Sequence, residues 1–257
     1  MNALRSFSLF CGHSAAVPDQ FYHTASWFAV LLPLLSWGCT TIGMHQPAAL
    51  SKTEFGPLVS VRLCVLLDEG ISRDDAQALL DAAWQEEGRR YNLRFEIVDA
   101  TEWQRPAFTA DGILSALVTV PLSSSCDRLL AFVGRHLGDV VWGLIGPAEV
   151  LGAVNDATQT HGYVVARIGS LQQLILTPAS ALRHELYHLL GCEHFAMVRC
   201  YQTIAQLKRD RGISDPDFFP SWSAIEKRSV RSRRDVNALL QQERTALTGM
   251  GTLSSSQ

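Results

Sequence analysis

The sequence predicts an α+β fold in which one mixed sheet is covered by helices. Short blocks of alternating or β-branched apolar residues recur at five places and read as strands. A capped amphipathic stripe follows the first block, and a second helix with clear start and stop signals follows the last. The resulting order is strand, helix, four strands, helix, which suits one sheet with helices packed against it. The chain has 257 residues, 47% hydrophobic, and a formal net charge of -3. That is enough for one well-buried domain. The charge balance carries no sign of nucleic-acid binding, and none is expected. Six cysteines in this length do not amount to a disulfide scaffold.

The first element is "SWFAVLLPLLSWGCTT", with an apolar core from Trp27 to Leu35 that contains a proline. It is too short to span a bilayer and fits the apolar region of a signal peptide over 1–38. Gly38 followed by Cys39 resembles the lipobox of bacterial lipoproteins. That resemblance implies an exported chain, lipidated at Cys39 and held at the outer membrane or periplasmic face. Residues 39–57 are polar and proline-containing, and read as a linker between anchor and domain.

The domain is expected over 58–247. "LVSVRLCVLLD" (Leu58–Asp68) reads as a mostly buried strand. Ser72 and Asp75 form a capping-box pattern before the stripe Ala76, Leu79, Leu80, Ala83 and Trp84, and Gly88 is expected to stop this helix. "NLRFEIV" (Asn92–Val98) alternates as a second strand, and 99–125 reads mostly as loop. "DRLLAFV", "EVLGAVND" and "HGYVVARI" are three further strands, the last two joined by a polar turn. Helical patterns are expected near Thr203–Arg209 and from Asp235 to Leu247, with a disordered tail over 248–257.

Between the last strand and the C-terminal part lies "LRHELYHLLGCEHF" (Leu182–Phe195). Thr177 and Pro178 are a strong helix start, and Gly191 is a strong stop because it tolerates the left-handed conformation. His184 and His188, four residues apart, share one face, while Leu182, Leu186 and Leu189 lie on another stripe. Two imidazoles so stacked can aim a nitrogen at one ion. A reversal at Gly191 can bring His194 back as a third ligand. Three neutral ligands leave a coordination position open, as a catalytic zinc requires. Glu185 then stands beside that position as a general base. Chance would give these five identities roughly once in a hundred thousand chains of this size, so coincidence is a poor explanation.

The pattern HExxHxxGxxH is complete in His184, Glu185, His188, Gly191 and His194 and resembles the signature of the metzincin zinc metallopeptidases. The segment Arg128–His194 is similar to the catalytic half of a matrixin-type domain. This resemblance implies a zincin-like fold: a twisted, mixed five-stranded sheet, an active-site helix and a small C-terminal subdomain. It implies one catalytic Zn2+ on His184, His188 and His194, with peptide or protein substrates. Leu151, Gly152 and Ala153, on the edge strand, would pair with the substrate backbone. The family's methionine turn is not matched: Phe218 or Phe219 falls where that methionine belongs. The same residues also admit a non-catalytic, metal-binding surface lipoprotein of this fold. Cys192 and Cys200 could bridge around His194 or stay free, and His136 and His161 read as surface residues.

Overall fold

The structure is a computed structural model that describes residues 42–134, 150–167 and 177–254, with side chains to 247. They all fall within one compact unit, Thr40–Gln257. The expected signal peptide, Cys39, Glu149, Ile168 and His136 lie outside the described residues. Among the described residues no helix is long and apolar enough to cross a membrane.

The elements are α1 (Pro47–Leu50), β1 (Val59–Leu67), α2 (Arg73–Tyr91), β2 (Leu93–Glu102), α3 (Ala110–Val118), β3 (Arg128–Val133) and β4 (Gly152–Val154). They continue with β5 (His161–Val165), α4 (Pro178–Leu189), α5 (Met197–Asp210), β6 (Ser221–Ser223), β7 (Arg228–Val230) and α6 (Arg233–Ser254). Five strands form one mostly parallel sheet in the order β2-β1-β3-β5-β4. Only β4 runs antiparallel to its neighbour. β6 and β7 make a separate hairpin.

The strand period divides the core in two. Val61, Leu63, Val65 and Leu67 of β1, with Leu130 and Phe132 of β3, face the helices α2, α4 and α5. The residues between them, Cys64, Leu66, Leu129, Ala131 and Val133, face α3 and α6. Burial on both faces is why the central strand β3 reads as an unbroken apolar run. The C-terminal part shares these cores: Met197, Tyr201 and Phe219 belong to the first, Phe218, Val236 and Leu240 to the second.

Several expectations are corrected. Gly88 does not stop α2; Asn92 does, in the left-handed conformation at φ 48°. Gly88 serves close packing, since a Cβ there would lie 2.8 Å from the Leu93 carbonyl oxygen. The stretch 99–125, read as mostly loop, is regular over nearly half its length. It holds the end of β2 and all of α3, whose N-cap Thr109 accepts from Gly112 N–H. The linker reading of 39–57 fails from Ile42 onward. Ile42, Ala49 and Leu50 pack on the first core and Phe55 is inside it. α6 runs on to Ser254, past Leu247 and into the stretch read as a disordered tail. His161 is not a surface residue: it is fully buried, and one ring nitrogen lies 2.9 Å from the Val120 carbonyl oxygen.

Candidate active site

The helix α4 forms where its signals predict. Thr177 accepts a hydrogen bond from Ser180 N–H, Pro178 occupies the first turn, and Gly191 turns the chain at φ 81°. Leu182, Leu186 and Leu189 are fully buried, which anchors the helix and sends His184 and His188 to the cleft. The Nε2 atoms of these two histidines lie 3.1 Å apart. Two ligands each about 2.0–2.1 Å from one tetrahedral ion would be about 3.3 Å apart. After the glycine turn His194 comes back, its ring centroid 4.9 Å from that of His184 and 4.7 Å from that of His188. One ligand atom from each of the three lies within 4.8 Å of the others.

The protonation states suit a metal. His188 Nδ1 is 2.8 Å from the Cys192 carbonyl oxygen, which can only accept, so Nδ1 carries the proton and Nε2 keeps its lone pair. Burial pushes His184 down to about 4 and His188 down to about 3, with the neighbouring histidines adding to the shift. Both are neutral near pH 7, as ligation requires. Glu185 is 4% exposed and burial pushes its carboxyl up to about 8. Its Oε2 has no hydrogen-bond partner among the described residues. A buried carboxylate oxygen left this way needs a partner, and a proton or a water would be one. The donor set, the fixed tautomer and this orphaned oxygen together fit a zinc ion.

The edge strand touches the carboxylate directly. A Cβ on Gly152 would lie 2.6 Å from Glu185 Cγ and 2.8 Å from Oε1, so any larger residue there would push the Glu185 side chain aside. Among the described residues β4 is an outermost strand of the sheet. Leu151 accepts from Val165 N–H and Asn155 donates to the His161 carbonyl. By antiparallel alternation Leu151 and Ala153 therefore turn their backbone groups to β5, while Gly152 and Val154 turn theirs outward. Of the three residues expected to meet substrate, Gly152 alone turns its N–H and C=O away from β5.

Support for the ligand turn comes from residues the sequence reading passed over. Arg128 is fully buried at the start of β3. It donates to the carbonyls of Leu189 (2.8 Å), Asp127 (2.7 Å), Phe219 (3.0 Å) and Pro220 (2.7 Å). Asp127 accepts from Arg62 and from Phe219 N–H. This pair ties β1, β3, the end of α4 and the chain before β6. Phe218 and Phe219 are both core residues, and Met197 begins α5. Trp222 packs on the Gly191 turn: a Cβ on Gly191 would lie 2.3 Å from the Trp222 Cβ and 3.2 Å from Gln159 Oε1. Only the buried charge of "DR" before an apolar strand could have hinted at Arg128. Cys192 and Cys200 are bridged, as are Cys64 and Cys126.

No family model matches the chain, and no curated protein matches it. Among solved structures, the chain is similar to archaemetzincin from Methanopyrus kandleri at 17% identity and a TM-score of 0.36, over 71% of this chain and 94% of that one. A likeness of that degree says nothing of activity.

Proposed function

We propose that the protein is a zinc metalloendopeptidase of zincin-like, metzincin-type fold. The observation that carries this reading is the convergence of His184, His188 and His194, with the orphaned Glu185 carboxylate one residue from the first of them. When bound, zinc supplies Lewis acidity, which polarises a carbonyl and lowers the pKa of water. The three histidines hold the ion as neutral nitrogen donors. Glu185 takes a proton from the attacking water at its carboxylate and passes it to the leaving amine. Its apolar setting suits both halves of that transfer, because a raised pKa makes a carboxylate more basic and a nearby cation keeps it ionised. The outward backbone groups of Gly152 and Val154 would pair with an extended peptide or protein substrate. In the same proposal the chain is exported and held to a membrane through a lipid on Cys39.

Metal analysis combined with peptide digestion tests the reading. The parent should carry one zinc and cleave a peptide library, and chelator should abolish cleavage. Glu185→Gln should keep the zinc and lose about 10²–10⁴-fold in kcat. Zinc bound at full stoichiometry without cleavage by the parent would favour a non-catalytic metal-binding protein of this fold.

A further inference from the structure

A cavity of about 330 Å³ opens against His188 and His194, walled by Asp156, Gln159, Glu193, Ala224 and Ile225. Hydrolysis as derived above makes no use of it. Its lining has two characters. Ala224 and Ile225, from the chain just after β6, give an apolar side. Asp156 and Glu193 are exposed carboxylates, and among the described residues no lysine or arginine lines the cavity. Glu193 also meets Arg199 at 3.1 Å, so Asp156 is the principal anionic group.

Gln159 supplies an independent observation. It is 4% exposed, and its Oε1 is buried with no hydrogen-bond partner among the described residues. An acceptor left unpaired in a pocket wall is stabilised by an incoming donor. The turn that carries Asp156 and Gln159 is held in place. Asn155 Oδ1 accepts from Thr158 N–H and Oγ1, and its amide donates to both oxygens of Glu243 at 2.9 and 2.8 Å. Gln159 N–H donates to the Asn155 carbonyl at 2.8 Å.

An apolar wall ending in acceptors matches a side chain with an aliphatic stem and a cationic, donor-rich head. We propose that this pocket takes the lysine or arginine side chain of a peptide substrate, with Asp156 as the specificity-determining residue and Gln159 accepting from the same head group. The inference rests on the peptidase reading of the adjoining histidine site. A divalent ion there would repel a second cation, and the carboxylates of Asp156 and Glu193 offset that charge.

The test uses the full, zinc-loaded chain carrying Glu185→Gln, so that binding is measured without turnover. Short peptides in which one arginine is walked along a norleucine background are titrated calorimetrically. One position should bind arginine about tenfold more tightly than norleucine, and Asp156→Asn should bring that ratio close to one. Absence of any arginine preference, a preference that survives Asp156→Asn, or failure of every peptide to bind overturns the proposal. Digestion of the same series by the parent separates the two readings. Peptides bound with arginine preference but left uncut would refute the peptidase and keep the pocket. Peptides cut with no basic preference would refute the pocket and keep the peptidase.

Discussion

Glu185 and the buried histidines push the stability of the metal-free chain in opposite directions with pH. His161, His184 and His188 are held down to about 4, about 4 and about 3 from the ordinary 6.5. Below pH 6.5 the unfolded chain takes up protons that the folded chain refuses, so stability falls as the solution is acidified. Glu185 is held up to about 8 from the ordinary 4.5. There the folded chain keeps a proton that the unfolded chain has lost, so stability falls as pH rises towards about 8. With chelator present, the melting temperature should peak near pH 6.5 and decline on both sides. Glu185→Gln should remove the decline on the alkaline side and leave the acid one, which thermal melts across pH would show. Loss of the acid decline in that variant would contradict the assignment.

At the scale of elements, two contacts hold the histidine site together. Gly152 lets β4 lie directly on Glu185. Gly152→Ala should displace the carboxylate, because the flexible end of Glu185 gives way more easily than the strand. Peptide cleavage should drop by about 10²-fold while zinc content is kept, since a misplacement of an ångström costs that much. Assay and metal analysis on one preparation decide it. The Cys192–Cys200 bridge closes a short loop around His194 and fixes the carbonyl that His188 meets. Cys200→Ser should lower stability by about 2–3 kcal/mol in denaturant titration, from loop closure alone. It should also weaken zinc retention against a chelator, because the third ligand is then less constrained.

Across the whole molecule, Arg128 joins the most distant parts of the chain that meet at the site. Its guanidinium meets carbonyls of α4 and of the chain before β6, and beside it Asp127 binds β1 through Arg62. Arg128→Met should cost about 3–5 kcal/mol in denaturant titration, because the carbonyls of Leu189, Asp127, Phe219 and Pro220 are left buried without their donor. The N-terminal stretch from Ile42 also belongs to the domain. His45 meets Glu87, whose carboxylate accepts from Tyr187 on the far side of α4, and Tyr201 accepts from Gln46 N–H. The back of α4 is thus held by a polar cluster from three elements.

By itself the sequence determined what is local. Ser72 and Asp75, Thr177 and Pro178, and Gly191 set helix ends through bonds made within a few residues, and the spacing of His184, Glu185 and His188 follows from one helical turn. β1 and β3 were legible as strands because burial on both faces fills them with short runs of apolar residues. Other features depended on groups far apart in the chain, and only the tertiary structure decided them. Gly88 reads as a helix stop until the Leu93 carbonyl is seen against it, and the 42–57 stretch reads as a spacer until Phe55 is found in the core. His161 reads as exposed until its partner at Val120 is known. Asp156 and Gln159 look like residues of a turn; only the return of His194 and of Ala224 and Ile225 makes their turn a pocket wall. A periodic pattern records one residue's preference for inside or outside, whereas a site is made by which insides meet.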